Sequence, residues 1–110
     1  MADPTQSPDA AVVPVIISTT GQANLSPARV NKQRGDIVMW RAESGGGPWR
    51  LTFDKGQCTP FREAVFDVPA NGVVVSNKVH ETASTGRYSY RIRRGTPPFD
   101  ETQDPDIDVE

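Results

Sequence analysis

The sequence predicts an all-β fold, a β-sandwich of about seven or eight short strands. Three observations predict it. Residues 48–54 read Pro-Trp-Arg-Leu-Thr-Phe-Asp, so Trp49, Leu51 and Phe53 alternate with Arg50 and Thr52. That period of two sets three apolar side chains on one face of a strand. Residues 87–93 alternate in the same way, with Tyr88, Tyr90 and Ile92 on one face and Arg87, Ser89, Arg91 and Arg93 on the other. Ten prolines and nine glycines in 110 residues suit a loop-rich β fold better than a helical one.

Taken in order, residues 1–11 are polar, carry Pro4 and Pro8, and are expected to form a disordered tail ahead of one domain over 12–110. With Asp3, Asp9 and no apolar core, the tail does not read as a signal peptide. Residues 12–18 are β-branched and form the first strand, with Pro14 placing it at an edge or a bulge. A turn at 21–24 follows, then a second strand over 28–33. Arg34-Gly35-Asp36 turns into a third strand at 37–42. There Val38 and Trp40 face one way, Ile37 and Met39 the other. Two apolar faces imply a central strand or a covered outer face.

Ser44-Gly45-Gly46-Gly47-Pro48 is a loop leading into the strand around Trp49. Residues 54–56 are read as a turn and 58–61 as a loop. A short strand is expected at 64–68, with one helical turn over 62–66 as the alternative. Asn71-Gly72 is a turn before a strand at 73–76, which Val79 continues after a kink. Residues 94–104 are expected to be a loop. In the last strand, Ile107 and Val109 face inward and Asp106, Asp108 and Glu110 outward.

Composition narrows the function classes. A net charge of −2 argues against nonspecific nucleic-acid binding by the whole domain. One cysteine excludes an intramolecular disulfide. No apolar run approaches the ~20 residues that span a bilayer. Arg34-Gly35-Asp36 matches the integrin-binding tripeptide and Asn24-Leu25-Ser26 a glycosylation sequon, but Gly-Asp is ordinary turn chemistry and Pro27 follows the sequon.

The run Gly35-Asp36-Ile37-Val38-Met39-Trp40, a loop, then Pro48-Trp49-Arg50-Leu51-Thr52-Phe53-Asp54 resembles the first half of a cupredoxin, the plastocyanin-like copper domain. That family reads Gly-Asp-x-Val-x-Trp or Phe, a loop, then Pro-His-x-Val-x-Phe. Gly86-Arg87-Tyr88-Ser89-Tyr90-Arg91-Ile92 is similar to its Gly-x-Tyr-x-Phe/Tyr-x-Cys, and 106–110 resembles its closing strand. The resemblance covers residues 12–110 and implies a Greek-key, cupredoxin-like sandwich.

The departures decide the chemistry. The family's first copper ligand falls on Trp49 and its cysteine on Ile92, and 93–99 holds neither the second histidine nor the methionine. A blue-copper site needs a thiolate, two imidazoles and a weak axial ligand together. The resemblance therefore implies a cupredoxin-like domain that has lost its ligands. The expected function is a metal-free binding or structural module with a protein or small-molecule partner. No catalytic, cofactor or metal residues, no nucleic acid and no membrane span are expected. The resemblance also favours export, to the periplasm or outside the cell.

The alternative is copper binding or electron transfer at a displaced site using Cys58 and His80, the only soft ligands in the chain. A hydrolase built on the same pair would need an orienting third group and an oxyanion hole, and no motif supplies them. If the strand alignment holds, Trp49 and Ile92 plug the former copper cavity or Trp49 floors a ligand pocket; the plug is the favoured reading. Arg87, Arg91 and Arg93 form a basic row that Arg94, Arg50 and Arg41 extend into a possible anion-binding face. The resemblance sets the final strand beside this one, so Asp106, Asp108 and Glu110 are expected to pair with the row instead.

Overall fold

The computed structural model describes residues 10–53 and 59–110. Among them are nine strands: β1 (Val12–Ile17), β2 (Ala28–Val30), β3 (Ile37–Ala42), β4 (Trp49–Phe53), β5 (Val65–Val68), β6 (Val73–Val75), β7 (Gly86–Arg94), β8 (Glu101–Gln103) and β9 (Asp106–Val109). No helix forms among the described residues, and the class is all-β as expected. The turn expected at 54–56, Cys58 and the tail over 1–9 lie outside the described residues.

The strands form two sheets around one core. The first has the order β1-β3-β6, with β1 parallel and β6 antiparallel to β3. The second has the order β2-β9-β7-β4-β5, with β8 also on β7. β3 is central, which explains its two apolar faces. Val38, Trp40 and Ala42 enter the core beside Val15 and Ile17 of β1. On the outer face, Val12 lies opposite Ile37, Pro14 opposite Met39 and Met39 opposite Val75. Pro14 sits on an edge strand, where its missing N–H costs no ladder bond.

The second sheet contributes Trp49, Leu51, Phe53, Phe66, Val68, Tyr90 and Ile92 to the same core, each at the inward position of its strand. Trp40 lies at the centre of the aromatic group. Its ring centroid is 5.0 Å from Phe66 and 5.7 Å from Tyr90, and Phe53 lies 5.1 Å from Tyr90. The Trp40 indole N–H donates to the Tyr90 hydroxyl at 3.1 Å, which satisfies both buried polar atoms. Burial pushes the Tyr90 phenol far up, against a smaller downward pull from Trp40.

Asp36 is the polar knot of the fold. Its wholly buried carboxylate accepts from the Ala11 and Asn31 backbone N–H groups, both at 2.8 Å, and from Arg34 Nε at 3.2 Å and Nη2 at 2.9 Å. Burial alone would raise its pKa. The hydrogen bonds from Arg34, Ala11 and Asn31, with the Arg34 charge, outweigh that and hold the carboxyl below the usual carboxylate range. The Arg-Gly-Asp tripeptide is thus an internal turn whose aspartate is out of reach of a receptor.

The same knot shortens β2, which ends at Val30 rather than at 33. The Asn31 side chain captures the N–H groups of Gln33 and Arg34 at 2.9 Å, and its own N–H goes to Asp36. These local bonds take the N–H groups of Asn31, Gln33 and Arg34 away from the ladder, and past Val30 one bond to the last strand persists, from the Lys32 N–H to the Glu110 carbonyl at 3.1 Å. Ala11, counted with the tail, is held by Asp36 and accepts from the Ile37 N–H at 3.0 Å. β6 ends at Val75, where the Ser76 hydroxyl takes the Val38 N–H, and after this kink the chain returns to the same neighbour, with buried Val79 donating its N–H to the Asp36 carbonyl at 3.0 Å.

β8 is the strand missing from the sequence reading. It pairs with the second half of β7 while β9 pairs with the first half, so the two flank β7 like one strand interrupted at Asp104-Pro105. Thr102 fixes it in place, donating from Oγ1 to the Gly21 carbonyl at 2.8 Å. Gly21 has φ +83°, and a Cβ there would collide with the Thr102 side chain.

Candidate functional site: an arginine cleft at the end of β4 and β7

β4 begins and β7 ends at one pole of the second sheet. Antiparallel pairing sets Trp49 opposite Arg94, Arg50 opposite Arg93, and Leu51 opposite Ile92. Side chains directly opposite share a face. Trp49 and Arg94 therefore share the inner face, and Arg50 and Arg93 the outer one. The Trp49 indole is 2% exposed. The Arg94 guanidinium lies over it at 5.6 Å, in cation–π range. Ile92 is buried as expected, but it stands across from Leu51 as the diagonal neighbour of Trp49, and the residue directly facing the indole is Arg94. Trp49 Nε1 is the one buried side-chain nitrogen or oxygen among the described residues without a hydrogen-bond partner.

The loop after β7 closes this pole. Gly95 donates its N–H to the Pro48 carbonyl at 2.9 Å, and a Cβ on Gly95 would press on Pro48 at 3.2 Å. The chain then turns back, with the Phe99 N–H on the Thr96 carbonyl and the Arg94 N–H on the Asp100 carbonyl. Phe99 adopts φ +59°, uncommon for a bulky residue, and leaves its ring 54% exposed. Arg50, Arg93, Arg94, Gly95 and Phe99 enclose a cleft of about 330 Å³.

The basic row splits into partnered and unpartnered members. Arg87 meets the last strand as expected, at 2.9 Å from Asp108 and 3.9 Å from Asp106. Its hydrogen bond and charge hold the Asp108 carboxyl low. Arg91 instead pairs with Glu101 of β8 at 3.4 Å, because β8 and not β9 flanks that half of β7. Arg50 pairs with Asp67 of β5 at 2.8 Å. Across the outer face the order is Asp67, Arg50, Arg93, Glu101, a row of acid, base, base, acid. The outer acids engage Arg50 and Arg91, so Arg93 has no ion-pair partner among the described residues. Arg41 does not join the group; it lies in the other sheet, between Ile16 and Val73.

Of the two soft ligands, Cys58 lies outside the described residues. His80 is exposed on the loop after Val79, its backbone N–H on the Pro60 carbonyl at 2.9 Å. It lines a wider cleft of about 510 Å³ with Lys32, Arg34, Arg62, Lys78 and Glu81. There Arg34 is engaged by Asp36, and Lys32 donates to the Ala83 carbonyl at 2.7 Å. Among the described residues no three of His, Cys, Asp and Glu gather as a metal site, and no helix is long and apolar enough to cross a membrane.

Sequence reasoning missed Gly95 and Phe99 as members of the cleft. The signal was present in Pro97-Pro98-Phe99, a large aromatic in a turn with no strand partner to bury it. No protein-family model and no curated protein matches the chain.

Proposed function

We propose that the protein is a metal-free, cupredoxin-like domain, exported to the periplasm or beyond, that acts as a binding or structural module and not as an electron carrier or enzyme. The observation that carries the reading is Trp49. At the position where the resemblance places the first copper-binding imidazole, a closely packed indole lies beneath the Arg94 guanidinium. The Ile92 side chain, at the family's cysteine position, is likewise committed to the core. An apolar residue and a cation in those places oppose a bound metal cation, whatever the surrounding fold.

The topology supports the fold side of the proposal. The final strand, β9, lies antiparallel beside β7, as the resemblance requires. The chain crosses between sheets at β1–β2, β2–β3, β3–β4, β5–β6 and β6–β7, and only β4–β5 pairs as sequence-adjacent strands before β7. Such crossing connections suit a Greek-key sandwich.

The test is a Cu(II) titration followed by absorption spectroscopy, with metal analysis of the purified protein. The expected result is a colourless protein that binds copper no more tightly than a single surface histidine would. An intense band near ~600 nm, the mark of a Cu(II)–thiolate site, would refute the proposal and favour a site using Cys58 and His80.

A further inference from the structure

We infer that the Arg50–Arg93–Arg94 cleft is a binding site for an oxyanion group, carboxylate or phosphate, carried on an apolar or aromatic body. The inference rests on reading the chain as a binding module and adds the ligand class.

Three observations converge on it. The first is an arrangement that local pairing rules disfavour. Like charges directly opposite on neighbouring strands destabilise a sheet, yet Arg50 and Arg93 face one another across β4 and β7. Asp67 relieves Arg50, whereas Glu101, opposite Arg93 on β8, pairs with Arg91. An anion between the two guanidinium groups turns that repulsion into attraction. Departures from local consistency of this kind gather at functional sites.

The second is pre-organisation. Arg94 is stacked over the Trp49 ring and Arg50 is anchored by Asp67. Little side-chain freedom remains to be lost when these groups meet a ligand. Guanidinium groups present paired donors that match carboxylate and phosphate oxygens.

The third is the apolar wall. Phe99 is held at the rim with its ring half in solvent by a turn that requires a left-handed backbone. A bare inorganic ion has no use for such a ring; a ligand with an apolar body beside its charge does. The volume, about 330 Å³, suits a small molecule or one terminal group of a larger one.

The test uses the full chain at low ionic strength with three probes: phenyl phosphate, benzoate and inorganic phosphate. Binding is followed by calorimetry and by the arginine Nε–Hε signals in ¹H–¹⁵N spectra. One aromatic anion should saturate a single site, shift the Arg93 signal, and bind more tightly than inorganic phosphate. Whichever aromatic probe binds better names the group, phosphate or carboxylate. Arg93→Gln, an exposed change that leaves the core intact, should weaken binding by about tenfold or more, the scale of one charge-assisted hydrogen bond. Glu101→Gln, which removes a competing acid, should strengthen it. Saturable binding that Arg93→Gln leaves unchanged would overturn the inference. So would a failure of both aromatic anions to saturate by about 10 mM, the range of nonspecific surface pairing. The copper titration is read separately, so a silent cleft beside a colourless protein refutes the ligand site and leaves the metal-free reading standing.

Discussion

Replacing Asp36 with asparagine should show how much of the fold hangs on one carboxylate. The substitution keeps size and shape but leaves one acceptor oxygen where there were two. Oδ1 receives the Ala11 N–H and Arg34 Nε; Oδ2 receives the Asn31 N–H and Arg34 Nη2. Whichever way the new amide turns, its NH₂ group faces one backbone N–H and one guanidinium N–H, donor against donor. Hydrogen bonds to a charged group contribute ~1.5–3 kcal/mol each. The Arg34 side chain is 43% exposed and can turn to water, whereas the backbone N–H groups are held in place. The expected loss is therefore about 3–4 kcal/mol, out of a total of ~5–15 kcal/mol for a domain. With an m-value of about 1.5 kcal/mol per molar, the urea midpoint should fall by roughly 2–3 M.

The pH dependence supplies a second readout. The folded-state pKa of Asp36 lies below its unfolded value of ~3.9. Its contribution is therefore complete above that value and is lost as the pH falls through the lowered folded one. The stability gap between wild type and Asp36→Asn should be constant from about pH 5 to 7 and close in more acid solution. A gap under about 1 kcal/mol, or one unchanged down to about pH 2, would refute the view of Asp36 as the knot.

Two further changes test the pole and the outer face. Trp49→Ala should destabilise by about 3–5 kcal/mol in urea unfolding, toward the lower end because the unpartnered Nε1 is removed with the ring; a loss below about 1 kcal/mol would contradict its burial. Arg91→Ala breaks a half-exposed pair with Glu101 and should cost at most about 1 kcal/mol, measured in the same way, and a larger loss would mean that the β7–β8 contact carries more than surface pairing.

Much of this fold was legible because its information is local. The alternation of Trp49, Leu51 and Phe53, and of Tyr88, Tyr90 and Ile92, is a property of neighbouring residues, and the strands fell where the pattern set them. β8 was not legible because Glu-Thr-Gln carries no apolar alternation; it is a strand only because β7, across the loop before it, and the distant Gly21 carbonyl supply its partners. The extent of β2 was misread because the Asn31 side chain and Asp36 outcompete the ladder, and no propensity records that contest. At the cleft, the row of arginines was visible, but its division into paired and unpaired members was not. That division depends on which acidic strand lies beside which half of β7. The face of Arg94 was equally hidden, since it follows from cross-strand register at the end of the sheet.

The pairing of β2 with β9 has a consequence for how the chain folds. Ala28, Arg29 and Val30 find their partners in Ile107, Asp108 and Val109, so one of the first strands waits for the last. During synthesis, the edges of β2 and β7 that take β9 remain open until β9 has emerged. Closing so long a loop early is entropically costly, and topologies rich in such pairings fold slowly. The exposed edges are meanwhile available for pairing with other chains. A substitution that weakens β9 should therefore lower the yield of folded protein in cells more than its equilibrium cost implies.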